Sequence, residues 1–464
     1  MTATQSILND LQGYTETLVA QQNIPAASIA IWKDGQLHQG AAGILNIDTG
    51  VTATTDSIFQ IGSITKVMTT CLVMQLVDEG KVDLDAPVKQ YVQDFQIADA
   101  EASACITVRQ LLNHTSGIAG DFFPDDRGHQ GNLIARFVDR CNLLPLVHPV
   151  GQQYSYSNSA FAIAGRLVEV VRGISWYQAM QDYLFKPLGM HHAIADPVDI
   201  IRYRAAIGHV REGDDSTPWQ LPEHAYLTLG QAPVGSTPTM SAANLITFAR
   251  AHLDSGVSQS GARWLSEASV KAMQTAQITL PNVSQIGDKQ AGLGWGKMYY
   301  TSAGTETIAH SGATLGFLSM LQIIPEQNAA FAVLTNGFKP AASNAITRDL
   351  LQVVAGIDNR EPEPPSDISR TPEDLQTFVG RYDSLDTSVT ITQQNEGLVA
   401  HVVYHIDPLP PVDLTLVPVD NEGCFAVYTP EGVRGSNVTF VWEQGERPAY
   451  LFFAGRLNQR KGGD

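Results

Sequence analysis

Cysteine is scarce in this 464-residue chain. Cys71, Cys105, Cys141 and Cys424 are scattered and form no CxxC pair, which excludes a disulfide framework or a cysteine zinc site and fits a reducing compartment. Charge is also sparse, with 16% of residues charged against about a quarter in ordinary soluble domains. What charge there is leans acidic: 29 Lys and Arg against 47 Asp and Glu leave −18, so a nucleic-acid partner is not expected. No apolar run reaches the 18 residues of a membrane span. The first twenty residues lack a basic start and an apolar h-region, so the expectation is a cytoplasmic protein with no export signal and no membrane partner. GxSxG, HExxH and P-loop motifs are missing, and Gly292-Leu293-Gly294-Trp295-Gly296 is not a GxGxxG opening a helix. His191-His192 is a poor pair of co-ligands, because adjacent side chains diverge. No metal and no cofactor are therefore expected.

What is present is a large apolar fraction, 44%, enough to bury a core and to exclude a disordered chain. Residues 7–18 place Ile7, Leu8, Leu11, Tyr14 and Leu18 on one helical face. Ala26–Trp32 and the Lys33-Asp34-Gly35 turn read as a hairpin, and Phe317–Ile324 with Ala329–Thr335 as an antiparallel pair. Helical patterns fill much of the middle, at 63–79, 159–171, 175–185 and 242–253. Strands from both ends around a helix-rich middle predict an α+β fold: an antiparallel sheet flanked by helices, with a helical subdomain at about 81–230 inside a 1–360 domain. Residues 361–370, opening Glu361-Pro362-Glu363-Pro364-Pro365, read as a Pro-rich linker. Residues 371–464 show short strands broken by Asp, Gly and Pro, a small all-β unit.

One motif carries chemistry. Ser63-Ile64-Thr65-Lys66 sets a hydroxyl and an amine one helical turn apart. The plain alternative is a capping serine followed by a solvent-facing lysine. The helix argues against it: Val67, Met68, Cys71, Leu72, Val73, Met74 and Leu76 make it apolar nearly all round, so it is expected to be buried. A desolvated lysine loses its proton more readily and can then take one from the neighbouring hydroxyl. Two further groups are weaker alone. Tyr156-Ser157-Asn158 offers a phenol and a carboxamide at a helix start, and His310-Ser311-Gly312 offers an imidazole at a strand edge.

In that order, Ser63-x-x-Lys66, Tyr156-x-Asn158 and His310-x-Gly312 resemble the serine β-lactamase and penicillin-binding-protein superfamily, in particular its class C-like branch (peptidase family S12). Ile61-Gly62, the stretch Ile106 to Gly117 and Phe185-Lys186-Pro187-Leu188-Gly189-Met190 also match, and the likeness covers about residues 8–355. The tail is similar to the lipocalin-like module of some members. The resemblance implies that Ser63 is acylated, that Lys66 and Tyr156 share general base and acid work, and that Asn158 orients the substrate amide. It also implies an oxyanion hole from the Ser63 and Ala313 backbone amides, with His310 and Gly312 on the adjoining strand. Where β-lactamases and DD-peptidases usually carry Lys-Thr-Gly, this chain has His310-Ser311-Gly312. An imidazole, with an ordinary pKa near 6.5, is mostly neutral at pH 7, so efficient β-lactamase action is not expected. His-x-Gly members include esterases, D-aminopeptidases, amidases and the penicillin-binding-protein-type thioesterases that cyclise nonribosomal peptides. The expected activity is a serine acyl-enzyme hydrolase or acyltransferase on an ester, thioester or amide of a small-molecule or peptide-like substrate, possibly one with D-residues or one held as a carrier-protein thioester. Cyclisation is the alternative, and a non-catalytic ligand-binding scaffold is the reading from another class.

Overall fold

The computed structural model describes residues 7–124, 132–213, 215–281, 284–405 and 410–462. A nine-stranded antiparallel sheet is built from both ends of the first 355 residues. In spatial order its strands are Val51–Thr52, Gln36–Asn46, Ala26–Lys33, Ala329–Thr335, Phe317–Ile324, Thr305–Thr314, Gly296–Tyr300, Gly287–Ala291 and Ile278–Thr279. The two ends meet where Ile29 stands opposite Val333. Those central strands are apolar along their length because helices cover both faces of the sheet. Helices Leu11–Gln22 and Pro340–Ala355 pack on one face through Leu11, Leu18, Ile346 and Leu350. Helices Thr65–Asp78 and Ala242–Leu253 pack on the other, in a core that includes Val67, Leu72, Phe248 and Trp295. The inserted middle is helical, with Val108–Leu112, Leu133–Arg140, Asn158–Arg172 and Trp176–Met180 among its elements. This is the α+β arrangement expected from the sequence.

The Thr65–Asp78 helix is buried from Thr65 through Leu76, as its all-round apolarity demands. Ser63 differs from the sequence expectation in one respect. It lies in a 3-10 turn, Gly62–Ile64, and Ile64 occupies the helix cap without a side-chain bond. Its hydroxyl is therefore not spent on capping. At the Asn158–Arg172 helix the cap is Ser157, whose Oγ accepts from the Ala160 amide at 3.2 Å, so Asn158 is the first helical residue and its amide is left for other partners.

The C-terminal unit is a closed eight-stranded antiparallel barrel, Gly380–Asp383 through Arg456–Arg460, sealed where Tyr382 pairs with Arg460. Phe378, Tyr382, Val402, Phe425, Phe440 and Leu451 fill its interior, so the lumen is a packed core rather than a ligand cup. Its last hairpin, Tyr450–Phe453 with Arg456–Arg460, turns through Ala454 and Gly455, both at positive φ (+48° and +82°), as a two-residue hairpin loop requires. That hairpin meets the first domain through a shared cluster of Tyr154, Ala291, Tyr450, Phe452 and Leu457. Among the described residues, no helix is long and apolar enough to cross a membrane.

Candidate active site

Lys66 is fully buried, with its Nζ 2.9 Å from Ser63 Oγ and 3.1 Å from the Val234 carbonyl. The amine lies 4.9 Å from the centre of the Tyr156 ring. Burial holds the Lys66 pKa well below the ordinary lysine value; the positive charge of Arg456 adds to this and Asp121 opposes it. Burial also raises the Tyr156 phenol, against a hydrogen bond with Ser63. An amine that sheds its proton and a phenol that keeps it therefore converge on one hydroxyl.

Backbone packing fixes the rest. A Cβ on Gly62 (φ +51°) would fall 2.6 Å from the Ala313 nitrogen, and one on Gly312 would fall 2.0 Å from the Ile61 carbonyl. Only glycine allows the Ser63 turn to lie this close to the 312–313 strand. Ser319 ties the two together, its Oγ donating to the Ile61 carbonyl at 2.7 Å. The Ser63 turn and Ala313 are thereby held side by side. The Gly296–Tyr300 strand pairs with Thr305–Thr314 only as far as Ala309 opposite Gly296, so on that side the 310–314 edge has no strand partner among the described residues.

The His310 ring centre is 6.2 Å from that of Tyr156. Its Nδ1 lies 2.6 Å from the Ser311 carbonyl; a carbonyl only accepts, so Nδ1 carries the proton and Nε2 is an acceptor. Burial, helped by Lys66, pushes the His310 pKa down to about 3. The neutral imidazole expected from the sequence is thus held neutral by its surroundings. Ser63, Lys66, Tyr156, His310, Gly312 and Ala313 form one constellation. Asn158 joins it through an unforeseen partner: its Nδ2 donates to Asp121 Oδ1 at 2.7 Å.

Asp121 leads to the residues that sequence reasoning missed. The Arg456 guanidinium, from the barrel, binds both carboxylate oxygens of Asp121, one contact measuring 2.9 Å, and stands 5.1 Å from the Tyr156 ring centre. The next-door Gly455 carbonyl accepts the Tyr156 amide at 3.0 Å, and the Leu457 amide donates to Ser155 Oγ at 3.2 Å. An arginine therefore reaches the site from residue 456, its charge paired with Asp121, where residue 310 is a neutral imidazole. No local pattern marks Asp121 or Arg456. His191 and His192 lie elsewhere, His192 Nδ1 being 2.9 Å from the Asp56 carbonyl.

Comparison with known proteins agrees with this geometry. The Beta-lactamase family model matches residues 11–356. The chain is 39% identical over 375 residues to Penicillin-binding protein 4 of Amycolatopsis lactamdurans, covering 79% of this chain and 95% of that protein. The crystal structure of SurE superposes with a TM-score of 0.78 at 26% identity, covering 99% of this chain and all of that one, barrel included. The D-amino acid amidase of Ochrobactrum anthropi shares the fold at a TM-score of 0.61 and 21% identity, over 76% of this chain and 99% of its own. With a buried lysine on a serine hydroxyl at the head of the matched region, the chain belongs to the β-lactamase family and is a serine hydrolase.

Proposed function

We propose that Ser63 is acylated by an ester, thioester or amide of a peptide-like substrate, one that can include D-residues. The observation that carries this is the fully buried Lys66 amine 2.9 Å from Ser63 Oγ. Ser63 Oγ bonds to the acyl carbon and its proton passes to Lys66 Nζ or through the Tyr156 phenol. The leaving alcohol, thiol or amine takes a proton as its bond to that carbon breaks. The backbone amides of Ser63 and Ala313 face the oxygen that gains charge. An extended acyl chain fits the open 310–314 edge by adding as a strand. Asn158 orients the substrate amide, and His310 supplies an acceptor beside the phenol.

The second reading is transfer to an amine, with head-to-tail cyclisation of a carrier-bound peptide thioester as its fullest form. The barrel favours it. Gly455 and Arg456 wall the site next to Tyr156, and a walled site limits the water that competes with an amine. The similarity to SurE, also solved with D-Leu at 26% identity and a TM-score of 0.76, runs through both domains and supports a substrate that presents a D-amino acid.

A fluorophosphonate probe should add one adduct to the intact protein, and Ser63→Ala should abolish it. Peptidyl thioesters, D-amino acid amides, simple esters and penicillins are then compared as acyl donors by mass spectrometry, with hydrolysed and cyclic products resolved. An unlabelled, inert wild-type protein overturns the acyl-enzyme reading.

A further inference from the structure

The stretch from Ile106 to Gly117 matches the family pattern, yet nothing in the reaction above uses it. Its His114 is buried, at the C-terminal end of the Val108–Leu112 helix, with φ +62°. That left-handed backbone, uncommon for a residue with a Cβ, turns both the carbonyl and the ring of His114 toward residues 155–157. The carbonyl accepts the Ser155 amide at 3.0 Å, and Nδ1 accepts the Ser157 amide at 3.0 Å. An amide only donates, so Nδ1 is bare and Nε2 carries the proton. The ring lies on that of Tyr156, with centres 4.4 Å apart and planes at 28°, while Phe161 and Tyr154 crowd its other sides. Gly455 takes the amide in between. Three consecutive backbone donors around Tyr156 are thus fixed, two of them by one residue.

We propose that His114 is the positioning residue that sets the angle and depth of the Tyr156 phenol, gripping the backbone on either side of Tyr156 and stacking on its ring. This rests on the reading that Tyr156 moves a proton at Ser63. The ring has to stay neutral, since a proton on Nδ1 removes the Ser157 bond. Burial, with Lys66, His310 and Arg456 as the charged or chargeable neighbours, holds its pKa well below the ordinary histidine value.

Two substitutions separate the two grips. His114→Asn keeps a side-chain acceptor and tolerates positive φ, but has no ring. His114→Phe keeps a ring but cannot accept from Ser157. The assay is the pre-steady-state acylation rate with a p-nitrophenyl ester, per folded molecule, across pH 5–10. Each variant is expected to lose about 10- to 100-fold in acylation rate, in the range of a displaced acid–base group, with substrate affinity changed less than about threefold. Water admitted beside the amine should also move the acid limb of the pH profile to higher pH, by about half a unit or more. A fall in rate without that shift overturns the proposal in favour of general loosening, as does a folded variant with wild-type rate. If His114→Asn does not fold, His114→Phe carries the test. Tyr156→Phe serves as the reference. Full activity there overturns the role of Tyr156 and this inference together, whereas loss there beside an unaffected His114→Asn overturns this inference alone.

Discussion

Replacing Arg456 by methionine removes the guanidinium while keeping much of the stem, and leaves the Asp121 carboxylate with Asn158 Nδ2 as its remaining side-chain bond. The Asp121 side chain is 5% exposed and that of Arg456 22%. Removing one partner of a buried pair costs roughly 3–5 kcal/mol, because a charge is stranded. The partial exposure of Arg456 places this case at the lower end, about 3 kcal/mol, or about two orders of magnitude in the opening equilibrium. The cost should appear locally, where the last barrel hairpin grips residues 154–157. Native-state hydrogen exchange read by mass spectrometry therefore suits it better than a global melt of a two-domain chain. Amides in 150–158 and 450–460 should exchange about 100-fold faster in Arg456→Met, while those of the Ala329–Thr335 strand stay protected. Adding Asp121→Asn, which removes the stranded charge but keeps an acceptor for Asn158, should restore most of the protection. Catalysis gives an independent sign. Burial holds the Lys66 pKa down and Arg456 adds to it against Asp121, so loss of Arg456 raises that pKa and moves the acid limb of the acylation profile to higher pH. Unchanged exchange in Arg456→Met, or a double variant as open as the single one, would refute the idea that the Asp121–Arg456 pair holds the hairpin on residues 154–157.

Three other outcomes follow from the geometry. Lys66→Met should abolish acylation yet stabilise the protein at pH 7. The native lysine has a lowered pKa, so the folded state binds fewer protons than the unfolded one, and wild-type stability rises with pH until the ordinary lysine range is reached. Denaturant midpoints should therefore show an advantage for the variant that shrinks toward pH 10.5; a constant gap contradicts a neutral buried amine. Gly312→Ala should push the 312–313 strand off the Ser63 turn, since the new Cβ meets the Ile61 carbonyl at 2.0 Å. A loss of about 10²–10³ in acylation rate is expected, with binding of the ester measured separately to show that substrate still enters. Ala454→Asn should relieve a non-glycine residue at φ +48° and stabilise the hairpin by about 1 kcal/mol, seen as slower exchange of the same 450–460 amides.

Residues near one another in the chain announced themselves. The Ser63/Lys66 spacing and the all-round apolarity of their helix needed only the helical period, and the two strands around Pro325 needed only their pattern and turn. The linkage of Asp121 to Arg456 spans 335 positions, and no periodicity connects an acid in an irregular segment with an arginine in a small barrel. His114 stood inside a matched stretch, but its stacking depends on a backbone turn that sequence does not display. The neutral imidazole at position 310 is legible locally, whereas the Asp121–Arg456 ion pair beside the phenol is delivered by another domain. Ser63 was expected to open the helix, and the 3-10 turn before Thr65 reflects close packing against Gly312 and Ala313, a tertiary demand that overrides local preference.

The contact between the Gly455 carbonyl and the Tyr156 amide bears on how the molecule comes into being. During synthesis the phenol emerges from the ribosome about 300 residues, and the serine and lysine nearly 400 residues, before the hairpin that pins Tyr156. Loop closure over such a distance is among the slower steps of folding. Residues 154–157 therefore gain their last backbone partner only after a contact of long sequence separation has formed, so the site is completed by docking of the barrel hairpin rather than by folding of its own helices.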